Sequence, residues 1–188
     1  PAALEARSRK GWLPVHHACK HGCSLATLRL LLTDATARAR TPGGYAPLHL
    51  LARHQAGDAA KLRLALELHP GGVRQRTADG LLPLHLLAAH SPGAAAALSM
   101  VLTAFPGAAV LPSAAGEVPL QLLPAGADVA WGTRQLLEAA TLQQQAVRER
   151  AVRRLAPPQP PSRPPPPSPR IPPPRRPRCP WSHFVPAA

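Results

Sequence analysis

The chain contains 188 residues, of which 45% are hydrophobic and only 3% are aromatic. This length accommodates one domain with an appendage, and a core of Leu, Ala and Val with few β-branched residues favours helices over strands. The formal net charge is +13, and the three cysteines argue against a disulfide-stabilised scaffold and for a reducing compartment. We therefore expect an all-α protein that is intracellular and cytoplasmic.

One segment recurs four times along the chain. Each copy begins with glycine and has proline three positions later, and the glycines are spaced by 33, 36 and 36 residues. The four copies begin at Gly11, Gly44, Gly80 and Gly116. Glycine admits a turn conformation that other residues avoid, and proline is tolerated in the first turn of a helix. The pattern predicts a turn followed by a short helix, such as residues 83–89.

A second helix is predicted after each of the first three short helices. A break that contains glycine separates the two, as at residues 56–58. Apolar residues then recur at i, i+3 and i+4, which indicates one buried helical face. The predicted buried positions are Leu28, Leu31 and Leu32; Leu62, Ala65 and Leu66; and Leu98, Val101 and Leu102. Helix pairs this small do not close a core alone, so neighbouring pairs must stack.

The helix-opening segments resemble the signature of the ankyrin-repeat family, Thr-Pro-Leu-His-x-Ala. They read Leu13-Pro-Val-His-His-Ala18, Ala46-Pro-Leu-His-Leu-Leu-Ala52 and Leu82-Pro-Leu-His-Leu-Leu-Ala88. The resemblance implies an ankyrin-like helical-repeat solenoid of about 3.5 repeats over residues 1–132. It also implies a structural role for the recurring histidine, hydrogen-bonded near the start of its helix, at His16, His49 and His85.

The repeats depart from the family's pattern in two ways. Apolar residues stand where the family has threonine, so the usual hydroxyl cap is absent. These residues are Leu13, Ala46, Leu82 and Val118. The fourth copy has Gln121 in place of histidine and Pro124 where a helix should continue. We expect this copy to be degenerate and to act as a terminal cap.

Residues 133–155 are predicted to form a C-terminal helix, and residues 156–188 a disordered tail. The helix segment from Gln135 to Arg154 lacks proline and glycine, whereas the tail is rich in proline and arginine. Such a tail cannot bury a core and should populate extended polyproline II. It contains two overlapping motifs similar to the ligands of proline-binding domains, formed by Pro158, Pro161, Arg163, Pro166 and Pro169. The alternative is a linker without a dedicated partner.

No catalytic, cofactor-binding or metal site is expected. Residues 16–23 hold the densest group of possible zinc ligands, but they lack the paired spacing of a zinc ribbon. The sequence shows no Ser/His/Asp arrangement, phosphate-binding glycine loop or pair of carboxylates. We therefore expect a protein that is not an enzyme.

Arginines recur in one register of the repeats. Arg7, Arg40 and Arg76 each lie six residues after the aligned Pro1, Asp34 and Pro70, and Arg38 and Arg74 share a second register. Repeats stacked roughly 10 Å apart would align these five arginines into a strip that binds an acidic protein partner. The alternative is an ordinary solvated face. We call these five residues the arginine strip.

Two functions are compatible with these patterns. The favoured one is a scaffold that binds a protein partner through the repeat surface. The alternative is electrostatic binding of nucleic acid, since residues 133–188 carry a net charge of +8 against +5 for residues 1–132. A membrane span is not expected. Residues 80–116 contain no Asp, Glu, Lys or Arg, but four prolines and two histidines interrupt them.

Overall fold

The computed structural model describes residues 2–124 and 131–155, and all regular secondary structure within these ranges is helical. The α-helices are α1 (Ala2–Glu5), α2 (Pro14–His21), α3 (Leu25–Leu31), α4 (Asp34–Arg38), α5 (Pro47–His54), α6 (Ala59–Leu68), α7 (Pro83–His90), α8 (Ala95–Ala104) and α9 (Trp131–Leu155). Shorter 3-10 helices span Pro70–Arg74, Pro106–Val110 and Pro119–Leu122. The predicted all-α class is confirmed for this part of the chain. None of the helices found here has the length and apolarity needed to cross a bilayer.

Four turns of the same geometry precede α2, α5, α7 and the 3-10 helix Pro119–Leu122. In each turn, the first residue carries a hydroxyl that accepts a hydrogen bond from the backbone N–H four positions later. These hydroxyls belong to Ser8, Thr41, Thr77 and Ser113, with N–O distances of 3.1–3.3 Å. The fourth residue is the recurring glycine, whose φ lies between +71° and +84°. The predicted glycine turns are therefore present, and the hydroxyl that closes them was not recognised from the sequence.

The helices pack in two adjacent rows. In the first row, α2 contacts α5, α5 contacts α7, and α7 contacts the 3-10 helix Pro119–Leu122. In the second row, α3 contacts α6, α6 contacts α8, and α8 contacts α9. The first half of α9 therefore takes the position that a second helix would occupy after the fourth turn. The core includes the fully buried Leu51, Leu62, Leu84 and Leu98.

A buried histidine fixes the start of each of the three first-row α-helices. His49 Nδ1 accepts a hydrogen bond from the Ala46 backbone N–H at 3.3 Å, so the ring proton lies on Nε2. That Nε2–H donates to the Gln75 carbonyl oxygen at 3.0 Å. His16 and His85 repeat this pair of bonds, to the carbonyl oxygens of Ala39 and Glu117. The predicted hydrogen bond near the helix start is confirmed, and each histidine also binds the segment that follows.

Gln121 stands at the same position in the fourth copy. Its Oε1 accepts a hydrogen bond from the Val118 backbone N–H at 3.0 Å, as the histidine Nδ1 does in the earlier copies. The helix that it starts, Pro119–Leu122, is a single short 3-10 turn. The fourth copy therefore keeps the local cap but not the α-helix.

Three short helical segments follow the second-row helices and were not predicted. Asp34–Arg38 is α-helical, with the Thr33 hydroxyl accepting a hydrogen bond from the Thr36 N–H at 3.3 Å. Pro70–Arg74 and Pro106–Val110 are 3-10 helices. Both begin with Pro-Gly, and glycine weakens a continuous α-helix. Each segment leads the chain from one helix pair to the next turn.

Candidate functional site

Two members of the arginine strip donate hydrogen bonds to backbone carbonyl oxygens of the turns. Arg7 Nη1 donates to the carbonyl oxygens of Gly11, at 2.9 Å, and Arg40, at 3.2 Å. Arg76 Nη1 donates in the same way to Gly80, at 3.0 Å, and Pro112, at 2.7 Å. Each arginine thus joins its own turn to the segment one repeat later. At Arg7 and Arg76 this register has a structural purpose that the sequence pattern did not reveal.

The other three arginines of the strip differ from one another. Arg38 forms an exposed ion pair with Asp34 at 2.8 Å. The Arg74 guanidinium carbon lies 5.1 Å from the centroid of the Phe105 ring. Arg40 is exposed, and its side chain makes no hydrogen bond within the described residues. The five arginines therefore do not present one uniform surface to an acidic partner.

The proline motif lies outside the described residues, as do Arg163 and the rest of residues 156–188. Of the basic C-terminal segment, the structure describes the end of α9, where Arg148 and Arg150 are exposed on either side of Glu149. Glu149 partly offsets the positive charge of these two arginines.

The predicted structural role of His16 leaves it unable to bind a metal without losing both of its hydrogen bonds. The nearby Cys19 is fully buried, and burial raises the pKa of its thiol to about 12. Such a thiol is protonated at neutral pH and is a poor ligand or nucleophile. Within residues 2–124 and 131–155, no three His, Cys, Asp or Glu side chains are arranged to hold a metal ion.

A second histidine register lies on the exposed side of the first-row helices. The last residue of α2, α5 and α7 is His21, His54 and His90, respectively, and all three are exposed. Lys20 and Arg53 directly precede the first two of them. These helices contain no Asp or Glu. The C-terminal ends of these three helices therefore form an edge of imidazoles, and Lys20 and Arg53 are its fixed cations.

Two aromatic residues from the turns extend this edge into a groove. Trp12 and Tyr45 each follow the recurring glycine of their turn and are half-buried. A cleft of about 220 Å³ lies between them, and we call it the cationic groove. Its lining consists of Trp12, Lys20, Tyr45, Leu50, Arg53 and His54.

The side chains around Trp12 are closely packed. The Lys20 ammonium lies 5.4 Å from the centroid of the Trp12 ring. The His17 ring lies 5.2 Å from the same ring at an interplanar angle of 44°, and it stacks in turn on His21 at 6.2 Å. Cations placed over an aromatic face are attracted to it. The Trp12 ring thus helps to hold positive charge at one end of the cationic groove.

The side-chain charges that act on His54 and His90 are all basic. Burial is the main cause that lowers the pKa of His54, followed by Arg53, Lys20, His90 and His21. The pKa of His90 is lowered by burial and then by Arg53. No acidic side chain contributes to either shift. These imidazoles are therefore held in a field that favours an incoming anion.

The sequence analysis missed this groove although one signal was present. The three surface histidines recur seven residues after the helix-opening proline, at Pro14, Pro47 and Pro83. Their register could have been recognised together with that of the arginines. The aromatic lining could not, because it depends on the packing of α2 against α5 and on which way each turn projects.

No family model matches the chain, and no curated protein is significantly similar to it. The geometry of the groove is thus what identifies a candidate site. A concave, partly apolar surface with convergent polar groups is the usual form of a binding site. The groove brings two cations, Lys20 and Arg53, beside the half-buried rings of Trp12 and Tyr45.

Proposed function

We propose that this chain is a non-enzymatic scaffold that binds a protein partner through the surface of ankyrin-like repeats. In this proposal, about 3.5 repeats over residues 1–132 stack as a helical solenoid, followed by the C-terminal helix and a proline-rich tail. The partner lies across the turns and the exposed side of the first-row helices. The observation that carries the proposal is the cationic groove, a concave surface built from two successive copies of the repeated segment.

The stacked arrangement is supported by contacts that recur from copy to copy. The histidine-to-carbonyl bonds, the arginine-to-carbonyl bonds and the contacts between turns all join equivalent positions. Between turns, the Ala78 N–H donates to the Gly43 carbonyl oxygen at 3.0 Å, and the Ala114 N–H donates to that of Asp79 at 3.1 Å. Contacts restricted to neighbouring units are typical of solenoid proteins.

A binding role is favoured over catalysis by the chemistry of the buried polar groups. The buried histidines use both ring nitrogens in backbone hydrogen bonds, and their pKa is lowered chiefly by burial. The groove lining contains basic side chains and aromatic rings but no carboxylate, serine, threonine or cysteine side chain. Its composition suits recognition of charge and shape.

The test is capture of partners by the full chain, before and after nuclease digestion and with heparin as competitor. We expect a protein that stays bound after nuclease treatment. Loss of all bound material on digestion, or complete competition by heparin together with steep salt dependence, would support nucleic-acid binding by the basic C-terminal segment instead.

A further inference from the structure

The cationic groove combines an apolar floor with a cationic rim. Leu50 is only 3% exposed and forms the floor together with the half-buried rings of Trp12 and Tyr45. Lys20, Arg53 and His54 complete the lining. A ligand that satisfies both parts must carry an apolar group and negative charge on either side of it.

We propose that the cationic groove binds an extended acidic segment of the protein partner, with one bulky apolar side chain in the cleft and carboxylates beside Lys20, Arg53 and His54. The inference rests on the proposed function, because it names the kind of partner that the same surface selects.

The size of the cleft is suited to a side chain rather than to a complete small molecule. Its volume of about 220 Å³ is below the range of roughly 300–1,000 Å³ typical of small-molecule pockets. An extended peptide can fill it with one residue while its flanking residues follow the edge formed by His21, His54 and His90. Such anchoring by one apolar residue within a polar rim is common at protein interfaces.

The charge and the lining of the groove favour an acidic protein segment over the chain's own tail and over nucleic acid. The chain's own residues 156–188 contain five arginines and no Asp or Glu, so the groove repels them. Nucleic acid is anionic, but single strands bind such surfaces largely by stacking bases on aromatic faces. The Trp12 ring already lies against Lys20 and His17. Carboxylates beside an apolar side chain use all the groups that the groove offers.

Binding of the acidic segment is coupled to proton uptake by His54 and His90. His54 is flanked by Arg53, Lys20, His90 and His21, and His90 by Arg53, and these cations add to burial in lowering the pKa of both rings. An arriving carboxylate opposes these effects and raises the pKa of the imidazole beside it. Binding therefore takes up protons and tightens as the pH falls below neutral.

The test uses the full chain and a synthetic nonapeptide with one central Phe flanked by Glu residues. A variant with Lys20→Glu and Arg53→Glu should bind it at least about tenfold more weakly than the wild type. The matched control carries Arg29→Glu and Arg63→Glu, the same charge change at exposed positions of α3 and α6. It should bind within about twofold of the wild type, because neither arginine lines the groove and exposed charges are screened by salt.

Two further measurements do not depend on the charge-reversed variants. Replacing the central Phe of the peptide by Ala should weaken binding by about tenfold, as expected for an apolar side chain removed from a cleft. Calorimetry at mildly acidic pH, in buffers of different ionisation enthalpy, should show proton uptake. The variant with His54→Gln and His90→Gln should lose that uptake.

The outcomes separate this inference from the proposed function. Equal losses in the two charge-reversed variants, or no effect of the Phe-to-Ala change, would overturn the groove proposal. A captured partner protein that still binds the Lys20→Glu, Arg53→Glu variant would also overturn it while leaving the scaffold function intact. Peptide binding with the expected pattern, but no protein retained by the chain, would support the groove chemistry and contradict the scaffold function.

Discussion

Arg76 and Pro112 lie 36 residues apart and are joined by a 2.7 Å hydrogen bond from Nη1 to the carbonyl oxygen. Nη1 also donates to the Gly80 carbonyl oxygen at 3.0 Å, so one side chain connects two successive turns. We expect Arg76→Ala to destabilise the fold by about 1 kcal/mol, since hydrogen bonds from charged groups contribute measurably even when partly exposed. Thermal melting should detect a fall of about 2–4 °C.

Arg40 provides the control for that change, because it shares the register of Arg76 but its side chain makes no hydrogen bond within the described residues. Arg40→Ala should leave the melting temperature nearly unchanged. Equal melting temperatures for the Arg76→Ala variant and the wild type would show that the bridge to Pro112 contributes nothing.

Replacing Leu84 by Asp should unfold the chain. Leu84 is 0% exposed in α7, and an unpaired carboxylate there costs several kcal/mol, comparable with the whole stability of a small domain. Leu30→Asp is the matched control, because Leu30 in α3 is 75% exposed. Circular dichroism should show loss of helix for the first variant only. If the Leu84→Asp variant melts as cooperatively as the wild type, Leu84 is not buried in α7 as described.

Gly80 tests the close approach of successive turns. A Cβ added at Gly80 would lie 2.6 Å from the Ala114 backbone nitrogen, at a φ of +71° that L-residues rarely adopt. At Gly116 the φ is +84°, but an added Cβ would meet nothing within 4 Å. Gly116→Ala therefore measures backbone strain alone, about 1 kcal/mol. Gly80→Ala should cost more in chemical denaturation, and equal costs would contradict the turn-to-turn contact.

Acidification should destabilise the fold through His49. Burial lowers its pKa from 6.5 to about 4, so between these values the unfolded chain binds a proton that the folded chain does not. The stability contributed by the neutral ring is thus fully present above pH 6.5. It is lost as the pH falls towards 4, at up to about 1.4 kcal/mol per pH unit.

Urea unfolding between pH 7.5 and 4.5 measures this effect. His49→Gln should reduce the pH dependence without abolishing the fold, since Gln121 makes the equivalent cap in the fourth copy. His17→Gln, at an exposed position of α2, should retain the wild-type pH dependence. A wild-type midpoint that is constant over this range would rule out a buried neutral His49.

Much of the helical architecture could be predicted because its signals are local. The positive φ of Gly44, the proline that opens α5 and the apolar spacing of α6 each depend on a few consecutive residues. The short segments Pro70–Arg74 and Pro106–Val110 were missed because they are too short to show a periodic pattern. Their 3-10 geometry spans only five residues each and has no periodicity to recognise.

The site was harder to predict because it depends on contacts between segments distant in sequence. The sequence analysis placed Arg76 in a solvated or partner-binding strip, because its hydrogen bond to Pro112 depends on how two turns align. The cationic groove requires α2 to lie beside α5, so that Lys20 and Arg53 line the same cleft. Of the features of the groove, the register of the surface histidines could have been recognised from the sequence.

Amide hydrogen exchange of the full chain, alone and saturated with the partner protein purified by capture, tests the central claim most directly. We predict slower exchange in α2, α5 and the turns at residues 8–12 and 41–45, because a partner held across the cationic groove covers them. The second-row helices α3 and α6 should exchange as in the free chain. Protection confined to residues 133–188, with the turns unchanged, would contradict the proposal that this protein binds its partner through the repeat surface.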